Sequence, residues 1–341
     1  MIDFDAYLRR IGLDPADKPA WQAVHRAHVT TIPFENLDPH RGIPVSLEQA
    51  DLERKLVASR RGGYCFEHNL LLASALAHMG LEVEPMLARA RVGGAPRETR
   101  PATHLVLRVT DAGRQWQADV GFGLGTLLDP IPFGPAGVHE QSGWSFQVVE
   151  DGDELTLQTL GTNGWADVYS FPPRPAFRID IEVSNWWTCT NPASPVVRRL
   201  IVAVSHDDGR REALHDFSGP LLAVASSPDG TETAEVQRSA IPALLAQRFG
   251  LPGFALGPDG RVVGLASIGG YLAACDGADH GAHEERGQQR GEGEGRAGRA
   301  LLGQPGQFLA EGEPGTTKQP RAMGKGAARG RPGRGAPGGR G

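Results

Sequence analysis

Three side chains of this sequence have the types and placement for nucleophilic chemistry: Cys65, His104 and Asp119. Cys65 lies in RGGYCFEHN, residues 61–69, where two glycines bend the chain and the run CFEHNLLLASALAHMG then takes helical spacing until Gly80 stops it. A thiol attacks only as thiolate, and a helix N-terminus favours that form because its free N–H groups and dipole attract negative charge. The bland alternative is a packed, inert cysteine, since free cysteines are among the most buried residues. His104 and Asp119 come from a hairpin, THLVLRVT and RQWQADVG, around an Asp-Ala-Gly turn. Pairing 110 with 113 puts His104 opposite Asp119, with Cβ atoms about 5 Å apart. Together the three supply a nucleophile, a base and a group that orients the base. In this chain order they suit a cysteine protease, a transglutaminase or an acyltransferase equally, and geometry alone does not choose among them.

The elements that must carry these residues fall into three parts. Residues 1–80 read as a helical bundle: Ile2, Phe4, Tyr7, Leu8 and Ile11 share one helix face, PAWQAVHRAHVTTI gives a second helix, and SLEQADLERKLVASR runs from a Ser46–Gln49 capping box to Arg60. Residues 81–175 change to a period of two, in short segments bounded by Gly, Asp and Pro, as in an antiparallel β-barrel. Residues 176–275 mix a helix over IDIEVSNWWTCTN, two strands joined by HDDGRRE, and a helix TAEVQRSAIPALLAQRFG that Pro242 interrupts. The fold class is therefore α+β, with helices, barrel and an α/β lid in that order.

Composition narrows the function further. Only three cysteines occur, Cys65, Cys189 and Cys275, too far apart for a disulfide framework or paired metal ligands, which points to a reducing compartment. Cys189 reads as a small core residue, and His68, three residues after Cys65, as a solvent-facing helix residue, because no second pair completes a zinc site. No secretory signal or membrane span is legible, so a soluble cytoplasmic protein is expected. The net charge is −5, and residues 276–341 hold 11 Lys/Arg against 8 Asp/Glu, so the body is acidic and no nucleic-acid role is expected for it. Residues 276–341 are Gly/Arg-rich and read as a disordered tail. RNA binding by Arg-Gly repeats and a shifted reading frame are the other readings of that composition.

The motifs IPFENLD (32–38), RGGYCFEHN (61–69), THLVLRV (103–109), DVGFG (119–123) and LLAQRFG (244–250), in this order, resemble the arylamine N-acetyltransferase family over about residues 1–255. The resemblance implies that Cys65 accepts an acetyl group from acetyl-CoA, with His104 as base and Asp119 as third member of a catalytic triad. It implies ping-pong transfer to an arylamine, arylhydrazine or N-hydroxyarylamine, as in xenobiotic metabolism, with small-molecule partners and no metal. Phe34, Thr103 and Phe122 would then border the acceptor, Glu35 and Arg61 would brace the active-site loop, and Trp187, Thr190 and Ser194 would contact coenzyme A. The lid departs from the family pattern, placing Cys189 and Asn191 among those lid residues. Three alternatives stay open: an amide synthase using a carrier-protein thioester, a hydrolase of the cysteine-protease or transglutaminase type, and a binding module with an inert thiol.

Overall fold

A computed structural model describes residues 2–93 and 98–264. The segment 276–341 and Cys275 lie outside the described residues. Helices α1 (Phe4–Arg10), α2 (Trp21–Thr31), α3 (Leu37–His40), α4 (Gln49–Leu52) and α5 (Cys65–His78) make the first part, with a two-residue strand β1 (Phe34–Glu35) between α2 and α3. Tyr7, Leu8, Val24, Leu71, Leu72 and Leu76 bury the faces of α1, α2 and α5 against each other. That core continues into Leu107, Val109 and Ala118 of the second part, so helices and barrel share apolar packing.

The second part is one antiparallel sheet of eight strands. Its strands are β2 (Glu82–Ala90), β3 (His104–Asp111), β4 (Arg114–Ala118), β5 (Ile131–Pro132), β6 (Val138–Gln141), β7 (Trp144–Asp151), β8 (Glu154–Gly161) and β9 (Gly164–Phe171). Their spatial order is β5-β4-β3-β2-β9-β8-β7-β6, a nearly closed barrel filled by Met86, Val106, Phe146, Leu157, Tyr169 and Phe171. The period of two seen in the sequence is the alternation of these inward residues with outward polar ones.

The third part opens with α6 (Arg178–Thr190) and α7 (Pro195–Arg198). Strands β10 (Ile201–Ser205), β11 (Arg211–His215), β12 (Leu222–Ser227) and β13 (Gly230–Glu235), helix α8 (Ile241–Arg248) and a hairpin of β14 (Phe254–Leu256) and β15 (Val262–Gly264) follow. Its sheet runs β1-β10-β11-β12-β13, so the edge strand comes from the first part of the chain, with Phe34 opposite Ala203. Among the described residues no helix is long and apolar enough to cross a membrane.

Three local expectations fail. The Ser46–Gln49 capping box does not form: Ser46 Oγ accepts from Glu48 N, and Gln49 turns inward to Glu53 and Ser74. The helix it was to start is one turn of α4 followed by a wide π turn over Glu53–Ala58, in which Ser59 N reaches back five residues to Arg54 O. Residues 233–235 pair in β13 rather than opening a helix, and Pro242 lies in the first turn of α8 instead of interrupting it, as its missing N–H permits there.

His25, His28 and His68 are fully buried. Burial holds the His25 and His68 pKa values at about 4 and that of His28 well below 6.5. Because the unfolded histidines bind protons at about 6.5, before the folded ones do, stability is complete above that pH and falls as pH drops toward 4. Glu67, pushed up to about 7 first by burial and also by Glu35, against the opposing pull of Lys55, acts in the opposite sense between about 4.5 and 7, one group against three. His25 and His68 should each cost about 2 kcal/mol by pH 5, and His28 acts in the same direction. Urea denaturation at about pH 7 and pH 5 checks this; equal midpoints would contradict it.

Candidate active site

The site begins with a close approach of two chain segments. Pro33, Phe34 and Glu35 run beside Gly62 and Gly63, with Glu35 N donating to Gly63 O at 2.7 Å and a parallel bridge between Phe34 and Gly63. A Cβ at Gly62 would stand 2.1 Å from Pro33 O, and one at Gly63 would stand 2.9 Å from Glu67 Cβ. The two glycines therefore serve proximity, and neither has a positive φ. An ion cluster holds the pair from below. Arg61 binds Glu35 Oε1 at 2.6 Å and Asp38 Oδ1 at 3.0 Å, and Lys55 bridges Asp38 and Glu67, each at 2.8 Å. Burial opposes the charge on Asp38, but Lys55 and Arg61 outweigh it and hold the carboxyl well below its usual range. Glu67 Oε2 accepts from Tyr64 N at 3.1 Å, which closes the first turn of α5 immediately before Cys65.

Cys65 is the first residue of α5 and is nearly buried. Its thiol donates to Thr103 O at 3.4 Å, while the Phe66 and Leu105 backbone favours its anion. Burial first, and then the Asp119 charge, push the thiol pKa up beyond the ordinary range, so the helix start does not by itself produce a thiolate. Ionisation here requires that the proton pass to a neighbouring base, leaving a thiolate–imidazolium pair.

His104 stands at the start of β3, with Nε2 2.8 Å from Asp119 Oδ2. Its ring meets Phe122 edge to face at 4.9 Å and lies 4.8 Å from the Tyr169 ring. Asp119 has no exposed surface. Oδ1 accepts from Asn69 Nδ2 at 2.9 Å and from Gly121 N at 2.8 Å. Burial raises its carboxyl, but His104 and these donors together hold it below the usual value.

The hairpin register differs from the expected one by two residues. Asp111 pairs with Arg114 and Leu107 with Ala118, around a two-residue turn whose Ala112 and Gly113 both have positive φ, 48° and 79°. A two-residue shift preserves which side chains share a face. His104 and Asp119 consequently meet past the last β3–β4 pair, where the chain leaves the ladder, rather than as cross-strand partners.

The remaining expected residues divide. Thr103 reaches the site through its carbonyl and Phe122 through its ring on His104. Phe34 is half-buried and packs among residues that include Cys65 on one side and Ala203 on the other. Helix α6 covers Tyr64 and Cys65 with Ile181 and Cys189. Trp187 is partly exposed there, whereas the Thr190 and Ser194 hydroxyls donate to the carbonyls of Trp186 and Thr188. His68 is a correction: it is fully buried, bonded to His28 and Pro33 O, and does not face solvent. Among the described residues no group of His, Cys, Asp and Glu could hold a metal.

Sequence reasoning missed Asn69 and Tyr169. Asn69 follows Cys65 by four residues, which places both on one helix face, and it ties Asp119 and Leu105 O to α5. Tyr169 has no local signal, since it reaches His104 from β9, two strands away in the sheet and 65 residues on in the sequence. A cavity of about 620 Å³, lined by residues that include Leu47, Leu52, Leu70, Val83 and Arg178, has none of Cys65, His104 and Asp119 in its wall.

An N-acetyltransferase family model matches residues 19–252. The arylamine N-acetyltransferase of Mycolicibacterium smegmatis is 38% identical over 258 residues, 73% of this chain and 92% of that protein. That of Mycobacterium tuberculosis H37Rv is 35% identical over 286 residues, 82% and 99% of the two chains. The structure of Mycobacterium marinum arylamine N-acetyltransferase in complex with CoA matches with a TM-score of 0.68 at 33% identity, covering 73% of this chain and 93% of that one.

The close approach at Gly62 yields a test. Gly62→Ala should destabilise the fold by about 1–3 kcal/mol, because Pro33 O occupies the place of the methyl group. Gly230→Ala, where a Cβ meets nothing within 4 Å, is the control. Urea midpoints should fall for the first variant and stay near wild type for the second.

Proposed function

The chain belongs to the arylamine N-acetyltransferase family, and on that footing we propose that it moves acetyl from acetyl-CoA to an arylamine, arylhydrazine or N-hydroxyarylamine through a thioester on Cys65. The observation that carries this reading is Cys65 at the first turn of α5, its thiol on Thr103 O, with the His104–Asp119 pair, 2.8 Å apart, tied to the same helix through Asn69. In the first half-reaction the Cys65 thiol gives its proton to His104 as sulfur attacks the acetyl carbonyl. A new S–C bond forms, the bond to the coenzyme A sulfur breaks, and the imidazolium returns the proton to the departing thiolate. In the second, the amine attacks the Cys65 thioester, His104 takes a proton from nitrogen, and the thiol is restored. Cysteine suits both halves because exchange between thioesters is nearly isoenergetic, while a thioester stays reactive toward nitrogen.

Asp119 keeps His104 in the tautomer that presents its other ring nitrogen as base, and stabilises the imidazolium. In the proposed division of labour, residues 1–80 bring the nucleophile, 81–175 the base and its orienter, and 176–275 the cover. Phe34, Thr103 and Phe122 border the acceptor. Trp187, Thr190 and Ser194 contact coenzyme A at the end of α6 and the turn after it. A reduced thiol nucleophile fits the cytoplasm.

Incubation with acetyl-CoA alone should release coenzyme A in a burst and leave one acetyl on Cys65 by mass spectrometry, and a simple aniline should then discharge it. Turnover retained by Cys65→Ala would end the proposal, and failure of acetyl-CoA where a carrier-protein thioester succeeds would replace it with amide synthesis. Asp119→Asn should remain folded yet slow acylation by about 10³–10⁴-fold, because the amide favours the wrong imidazole tautomer; pre-steady-state release of coenzyme A measures this.

A further inference from the structure

Apart from the triad, the first part of the molecule contains an unbroken chain of buried polar groups. Tyr7 Oη lies 2.8 Å from His28 Nδ1, His28 Nε2 lies 2.9 Å from His68 Nδ1, and His68 Nε2 lies 3.1 Å from Pro33 O. Tyr7 and both histidines have no exposed surface. The direction of every bond follows from the last. A carbonyl only accepts, so His68 carries its proton on Nε2, and in a neutral ring Nδ1 must then accept. His28 therefore donates from Nε2 and accepts on Nδ1, and the Tyr7 hydroxyl is the donor. A proton added to either ring would set two N–H groups against each other or against the Tyr7 hydrogen.

The far end of this chain is the informative one. Pro33 has no N–H, its carbonyl is wedged where a Gly62 side chain would stand, and its other donor, Gly63 N, is distant at 3.4 Å. The next residue is Phe34, whose ring lies parallel to that of His68, the planes 8° apart. His68 also sits one helical turn beyond Cys65 on α5, so one rigid turn carries both the thiol and the group that grips the Phe34 segment.

We propose that His68 is a positioning residue for the acceptor: by donating from Nε2 to the Pro33 carbonyl, and stacking beside Phe34, it sets the distance between the acceptor wall and the Cys65 sulfur. This rests on the reading that Cys65 carries the acetyl group and Phe34 borders the amine. It separates the two half-reactions, since the wall matters only when the amine enters.

The test compares His68→Phe, which keeps a ring and loses both nitrogens, with His68→Gln, whose amide N–H can replace Nε2–H. With acetyl-CoA and 4-methoxyaniline, His68→Phe should raise the acceptor KM about tenfold while the burst of coenzyme A release stays within about twofold, and His68→Gln should recover most of the loss. An unchanged acceptor KM, or an equal loss in both half-reactions, would overturn the positioning role. A wild-type protein that takes no acetyl on Cys65 would instead overturn the reading of the site beneath it. Histidine ¹⁵N spectra of the wild-type protein provide an independent check should His68→Phe not fold: Nε2–H on His68 is expected, and Nδ1–H would refute the bond to Pro33.

Discussion

A carboxylate without solvent must find all its partners inside the protein, and Asp119 is the point at which this requirement organises the molecule. An unpaired charge there would cost several kcal/mol. Its oxygens are met by His104 from β3, Asn69 from α5 and the Gly121 amide of its own loop, while its backbone N–H donates to His25 of α2 at 3.2 Å. Satisfying one buried anion thus fixes the relation of two helices to the barrel. The thiol is placed by the same constraint, because Asn69 stands one turn from Cys65 and a Cβ at Gly121 would lie 2.8 Å from Cys65 Cα.

The second organising element is the charged floor beneath α5. By burial alone Glu67 and Lys55 are costly, since an isolated buried ion is expensive. Here each has partners: Lys55 serves two carboxylates, and Glu67 also closes the first turn at Tyr64. The π turn over Glu53–Ala58 carries Lys55 into this cluster. Removal of one member would leave the rest with unbalanced charge, so the group acts as a unit and its contributions are not additive.

Much of this was legible in the sequence, and the exceptions have a common cause. The helical spacing after Cys65, the period of two after Gly80 and the order of the three parts are local patterns, and the structure follows them. The meeting of His104 with Asp119 could be read from the hairpin, but its register could not, because nothing in Asp-Ala-Gly dictates that Ala112 take a positive φ. His68 was misplaced for a related reason. An isolated histidine on a helix reads as exposed unless its partners are known, and those partners, His28 and Pro33, lie 40 and 35 residues away. Tyr169 and Asn69 likewise gain their meaning from contacts made across the fold.

The strand formed by Phe34 and Glu35 has a further consequence. It belongs by position to the helical part, yet it is the edge of the sheet in the third part, and it touches Gly63 on its other side. The last sheet is therefore completed by chain synthesised long before its own strands, with Phe34 meeting Ala203 across the sequence. The three parts are not modules that could be shuffled or expressed separately. A lid transplanted from another protein would arrive without its first strand, and Phe34 and Glu35 would have to travel with it.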